Sequence, residues 1–181
     1  MELAGSRTTV ARLVDEHYAA LYRYAYRLSG RAADADDLTQ EAFCKAQACW
    51  SQLRDPHRAK PWLFRILRNA FLHKRRAEQN HPCISLEGVD EVPGKLPEPL
   101  PPVDPHELQE ALNELPEVFR TPIILYYFED FSYRDIAEHM DLPLGTVMSR
   151  LARAKAYLRN RLLSQEFGAL ADRPGRGSHG L

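Results

Sequence analysis

Apolar residues recur at helical spacing along most of the chain. Val10, Leu13, Val14, Tyr18, Leu21, Tyr22, Ala25 and Leu28 fall on one face, which predicts an amphipathic helix over 10–28. Ser29-Gly30 supplies the stop. A second helix is predicted over 33–50, burying Leu38, Ala42, Phe43 and Ala46. A loop carrying Asp55-Pro56 follows. A third helix is predicted over 58–78, with Trp62, Leu63, Ile66, Leu67, Ala70 and Phe71 facing inward. No run of alternating β-branched residues occurs, so no sheet is expected.

The pattern breaks over 80–103. Pro82, Pro93, Pro97, Pro99, Pro101 and Pro102 lie there among scattered acids, a composition suited to an extended, partly polyproline-like tether. Periodicity resumes after Asp104-Pro105, an N-cap followed by proline at the first helical position. Helices are predicted over 106–113, 117–128, 133–140 and 144–163. Ser132 caps the third of these, with Asp135 placed for a capping box. The tail, rich in Gly, Arg and Ser over 168–181, is expected to be unstructured. The expected fold is therefore all-α: a helical domain over 8–79, a Pro-rich acidic linker over 80–103, a second helical domain over 104–163 and a disordered tail over 164–181.

Composition adds limits. The chain has 181 residues, room for one ordinary domain or two small ones. No apolar run approaches the roughly 20 residues that span a bilayer. Residues 1–9 lack the apolar core of a secretory signal, so a cytoplasmic location is expected. Cys44, Cys49 and Cys83 form no CxxC pair, and His81 with Cys83 gives only two ligands; no metal or cofactor is expected.

Net charge is −1, but the average hides blocks. Residues 56–80 hold seven cations against one acid, and 143–163 hold five cations and no acid. Residues 86–117 hold nine acids against one lysine. Nucleic-acid binding needs local positive charge rather than a basic whole protein.

The segment from Tyr133 to Leu151 has the steric logic of a helix-turn-helix. Ala137 is small where two helices would cross closely. Asp141 ends the first helix at a position that often needs positive φ, which Asp tolerates. Ile136, Leu142, Val147 and Leu151 would form the core between the helices, and Pro143 would help start the second. That second helix presents Thr146, Ser149, Arg150 and Arg153 outward. Short hydroxyls bind phosphates or base edges, and Arg pairs with guanine O6 and N7.

Two motifs mark the first domain. Asp34-Ala-Asp-Asp-Leu-Thr-Gln-Glu-Ala-Phe43 places Asp37, Gln40 and Glu41 on a polar sector beside Leu38, Ala42 and Phe43, a face suited to a basic partner helix or to a dipole-favoured helix start. Pro61-Trp-Leu-Phe-Arg-Ile-Leu-Arg-Asn-Ala-Phe-Leu-His-Lys-Arg-Arg76 interleaves aromatics with cations. Exposed aromatics stack on unpaired bases while cations track the backbone, although Trp62 and Phe71 also suit a core.

The chain resembles the extracytoplasmic-function sigma factors of the sigma-70 family over about residues 8–163. Asp34 to Phe43 is similar to their region 2 polymerase-binding motif, DAxDLxQExF. Pro61 to Arg76 is similar to the −10 element, PWLxRIxRN, and Leu115 to Leu158 to region 4, with LPxGTVxSRLxRAxxxL. His73 stands where many relatives carry Asp, and Asp141 where the turn usually has Gly. The resemblance implies a non-enzymatic factor that binds core RNA polymerase and directs it to promoters. It implies that Asp34, Asp37, Leu38, Gln40, Glu41 and Phe43 meet the clamp helices of the largest subunit. It also implies that Trp62, Arg65, Arg68, Asn69, His73, Lys74 and Arg75 hold the −10 strand, with Asn69 on a flipped base. Thr146, Ser149, Arg150 and Arg153 would read the −35 duplex, with the second domain near the polymerase flap. Control by an anti-sigma protein is a further expectation.

Other classes fit less of the chain. A dimeric helix-turn-helix regulator predicts a dimerisation helix, and no long heptad seam is present. A sigma-like protein that only sequesters partners leaves the basic third helix unexplained. An enzyme is disfavoured by the lack of a P-loop, GxSxG or HExxH motif.

Overall fold

Three helices build the first unit: α1 (Glu2–Ser29), α2 (Ala32–Ala48) and α3 (Ala59–Ala77). Short 3₁₀ turns at Trp50–Gln52 and Pro56–Arg58 join the last two. Four helices build the second: α4 (Pro105–Glu114), α5 (Glu117–Phe128), α6 (Tyr133–Met140) and α7 (Leu144–Ala171). The computed structural model describes the backbone of residues 2–77 and 103–171, with side chains over 11–77 and 103–163. The expected linker, apart from Val103, lies outside the described residues, as do Cys83 and residues 172–181. Among the described residues there is no strand.

Local chemistry sets the helix ends. Gly30 takes φ +75°, where a Cβ would be strained, and its N–H donates to the Tyr26 carbonyl at 2.7 Å. Asp104 accepts from the His106 N–H, with Pro105 opening α4. Ser132 and Asp135 form both halves of a capping box. One boundary differs from expectation. An unstructured tail was expected from residue 164, yet α7 continues to Ala171. Residues 159–167 contain neither Gly nor Pro, so nothing there ends a helix already propagating.

The first unit packs on Leu21, Tyr24, Leu28, Leu38, Leu63, Phe64 and Leu67, each no more than 1% exposed. Burying each such side chain favours folding by about 1.5–3 kcal/mol. In the second unit, Leu112, Leu115, Ile124, Leu125, Ile136 and Val147 are similarly closed from solvent. Glu114 ties α4 to α7, accepting from Tyr157 at 2.6 Å and from Arg161 Nη2 at 2.8 Å. The Arg161 pairing holds the Glu114 carboxyl below its usual range.

The two units also pack on each other. α1 lies against α4 and α5, and α3 meets α6. Arg120, 5% exposed, crosses this seam by donating to the Leu28 carbonyl at 2.6 Å. The same guanidinium donates to the carbonyls of Asn113 and Leu115.

Candidate nucleic-acid and polymerase interface

The acidic motif opens α2. Asp37, Gln40 and Glu41 are exposed on one side, while Ala35, Leu38, Ala42 and Ala46 are buried. Two residues that the resemblance implies on the docking face lie inside, where the helical pattern also predicts them. Leu38 is 1% exposed, and Phe43 is 9% exposed with its ring 6.3 Å from Tyr18. Their apolar side chains follow the helical period onto the core side, so they hold the face rather than form it. Asp34 accepts from Lys74 at 2.6 Å and lies 3.7 Å from Arg31.

Helix α3 carries the basic motif. Arg65, Asn69 and His73 stand four residues apart and are all exposed, forming one stripe. The other expected members of this face are constrained. Trp62 is half-buried, edge-on to Trp50 at 6.2 Å. Arg75 sits with its guanidinium 5.7 Å from the Phe71 ring. Lys74 is paired with Asp34. Arg68 is 13% exposed and donates from Nε to Glu117 of α5 at 2.8 Å. A cavity of about 380 Å³ opens beside this stripe, lined by Arg54, Arg58, Trp62, Arg65, Glu138 and His139 among others.

The helix-turn-helix is built as its sequence implies. Asp141 ends α6 at φ 56°, ψ 53°, and Leu142 N–H donates to the Ala137 carbonyl at 2.9 Å. Ile136, Val147 and Leu151 are buried between the helices, and Leu142 packs against them. Ser149 and Arg153 are exposed; Thr146 and Arg150 are half-buried. The Ser149 hydroxyl donates to the Thr146 carbonyl at 3.0 Å and can rotate toward a phosphate. Leu144 and Met148 are 43% and 51% exposed near the same face, which suits contact with a thymine methyl or another apolar group.

Several residues at the seam carry no motif. His139 is 4% exposed, with Nε2 3.4 Å from the Tyr24 hydroxyl. Burial, with help from the Arg68 and Arg65 charges, pulls its pKa down to about 3, so the imidazole is neutral at physiological pH. Burial likewise raises the Glu129 carboxyl, against the pull of Lys60, Arg23 and Arg27. Lys60 Nζ donates to the Glu129 carbonyl at 2.6 Å. Phe64 stacks on Tyr24 at 4.8 Å and meets Phe131 at 5.3 Å. Glu129 and Phe131 lie in the turn between α5 and α6 and the others in helices; only a partner distant along the chain gives them their role.

Among the described residues, no group of three His, Cys, Asp or Glu could hold a metal ion, and no helix is long and apolar enough to cross a membrane.

Two bundles in fixed order, an acidic α2 face, a basic α3 stripe and a helix-turn-helix define a two-part nucleic-acid-binding protein. The family model for Sigma-70 region 2 matches residues 13–81, and that for Sigma-70, region 4 matches residues 106–158. The chain belongs to the sigma-70 family, among its ECF sigma factors. It is 33% identical to the ECF RNA polymerase sigma factor SigL of Mycobacterium tuberculosis, over 91% of this chain and 94% of SigL. It is 38% identical to SigE of Mycolicibacterium smegmatis over 83% of this chain, spanning 60% of that longer relative. Among solved structures it is similar to the sigma factor RpoE bound to the anti-sigma factor NepR from Bartonella quintana. That likeness has TM-score 0.69 and 29% identity, over 84% of this chain and 96% of RpoE. It is also similar to CnrH in complex with the cytosolic domain of CnrY, with TM-score 0.65 and 25% identity, over 89% of this chain and 92% of CnrH.

Proposed function

We propose that this chain is an alternative sigma factor that binds core RNA polymerase in the cytoplasm and directs it to promoters through its two units in turn. It is a transcription initiation factor rather than an enzyme. The order of the two matched regions carries the reading: an N-terminal region 2 and a C-terminal region 4 within one chain. In this reading residues 8–79 dock on the polymerase and hold the −10 strand, 80–103 tether, and 104–163 read the −35 duplex.

The exposed Asp37, Gln40 and Glu41 meet basic groups of the polymerase clamp. Arg65, Asn69 and His73 line the path of the −10 strand, with Arg68, Lys74 and Arg75 supplying further charge and Trp62 an aromatic wall. Asn69 is exposed where its amide could pair with an unstacked base, whose extrusion costs a few kcal/mol. Thr146, Ser149, Arg150 and Arg153 lie on the helix that enters the major groove. The tether raises the effective concentration of each unit at its own site once the other is bound. RpoE is seen with the anti-sigma factor NepR, which supports an anti-sigma partner for this chain as well.

The test is transcription by purified core polymerase from a promoter library, with and without the protein. Promoter-specific transcripts that appear only with the protein support the reading. Duplex binding without any transcript would contradict it and favour a conventional regulator.

A further inference from the structure

The helix that the second unit offers to a duplex is not evenly basic. Residues 143–163 hold five cations, yet the stretch from Pro143 to Ser149 carries no charge. Leu144 and Met148 lie in that stretch, one turn apart, and are 43% and 51% exposed. No other large apolar side chain of α7 over 144–163 is exposed. Val147, Leu151, Ala154 and Leu158 are buried on the side of the helix away from Ser149. Single exposed apolar residues are ordinary on a protein surface. Two on successive turns, in the neutral start of an otherwise basic helix, form a pattern.

Successive residues advance about 100° around a helix. Taken from Ser149, Thr146 and Arg150 flank one side of the outward face, and Leu144 and Met148 flank the other. The face thus has a polar edge and an apolar edge. A Cβ built on Gly145 would meet no atom within 4 Å beyond its own turn, so no other element overhangs this end of α7 and a duplex can approach it. In a docked helix-turn-helix, the first residues of the second helix reach base edges, while cations elsewhere meet phosphates. A neutral start with apolar side chains is suited to bases rather than to phosphates. Among the base edges of the major groove, thymine alone offers an apolar group, its C5 methyl.

We propose that Leu144 and Met148 are specificity determinants that select a T·A pair in the −35 duplex, Met148 packing on the thymine C5 methyl and Leu144 sheltering that contact from water. The proposal rests on reading α7 as the duplex reader, and it adds the base that the apolar edge selects. The unbranched, polarizable Met148 side chain can follow the methyl over a range of positions. Burying one methyl group in this way is worth about fourfold in affinity. Hydrogen bonds from the polar edge act at other positions and do not distinguish a methylated base from its unmethylated counterpart.

The test uses the full chain with core polymerase and a promoter duplex selected from a pool randomised over the −35 element. Each thymine of the selected element is replaced in turn by deoxyuridine, which removes the methyl and keeps the base pair. At one position uracil should weaken binding about fourfold. Met148→Ala should bind the thymine duplex about fourfold more weakly than wild type and the uracil duplex equally well, so that the distinction vanishes. Met148→Leu should restore most of the distinction, and Leu144→Ala should narrow it. Met148 is half exposed and alanine is a good helix former, so the variant keeps its fold, which circular dichroism checks. Arg153→Ala should weaken both duplexes alike and leave the distinction intact. A wild type that binds every uracil duplex as tightly as its thymine parent would overturn the proposal, and so would a Met148→Ala chain that keeps the distinction. A pool from which no sequence is enriched would overturn the sigma reading as well, whereas enrichment without any methyl effect overturns the proposal alone.

Discussion

The two basic helices, α3 and α7, have similar charge in sequence and different circumstances in the fold. On α7, Arg153 stands free in solvent beside Ser149. On α3, Arg68 is held by Glu117 from the opposite unit and Lys74 by Asp34 from its own. A run of cations thus measures how much phosphate a helix could neutralise, and the surrounding carboxylates decide how much it neutralises at a given moment. On the proposed reading, the α7 face is open in the free chain, whereas the α3 face is partly held by carboxylates.

The strongest way to break this difference is to cut the seam at its anchor. Arg120→Met leaves the carbonyls of Leu28, Asn113 and Leu115 without that donor. A loss of about 3 kcal/mol is expected, read as a lower urea midpoint, with both the second unit and the seam loosened. Leu38→Ala should cost a similar amount, about 2–5 kcal/mol, because Leu38 is core. Asp37→Ala should leave stability within about 0.5 kcal/mol and weaken polymerase binding. That pair separates holding the α2 face from forming it.

Salt dependence sharpens the contrast between the two helices. Arg153→Ala should weaken duplex binding evenly across sequences and reduce the slope of log affinity against log salt by about one. Arg68→Ala should change that slope little in the free chain, because its charge is already neutralised by Glu117.

pH reaches the seam through His139. Tyr24 faces it from α1, Arg65 and Arg68 charge it from α3, and Phe131 packs against its ring. Its pKa falls from the ordinary 6.5 to about 3 in the folded chain. The unfolded form therefore takes up a proton first. Stability from this group is complete above pH 6.5 and is lost progressively as pH falls toward 3. Glu129, whose carboxyl is raised by burial, works in the opposite sense: its contribution favours the folded form at acid pH and is lost as pH rises through its folded value. The difference between wild type and His139→Gln, followed by urea denaturation from neutral to pH 5, isolates the imidazole. Wild type should lose more stability than the variant over that range.

The smallest effect is expected at the turn. Asp141 adopts a left-handed conformation at φ 56°. Asp141→Gly should stabilise the second unit by about 0.5–1 kcal/mol in thermal melts, relief of Cβ strain slightly exceeding the entropy that glycine loses. DNA affinity should not change.

What was legible in the sequence was local. Helix starts at Asp104 and Ser132, the left-handed residue at Asp141 and the buried faces of α1 and α2 follow from neighbours within a few positions. The exposed stripe of Arg65, Asn69 and His73 follows from spacing alone. Leu38 and Phe43 lie in the core as helical period predicts, although the resemblance groups them with their polar neighbours on a docking face. The seam was not legible. Phe64, Glu117, Arg120, Glu129 and His139 acquire their roles only from partners dozens of residues away.

The difference between α3 and α7 can be measured on the arginines themselves. Brief modification of the full free chain with phenylglyoxal, followed by peptide mass spectrometry, gives a reaction rate for each guanidinium. Arg153 and Arg65 should react quickly, and Arg68 should be protected until Glu117→Gln releases it. An Arg68 that reacts as fast as Arg153 in the wild-type chain would contradict the account.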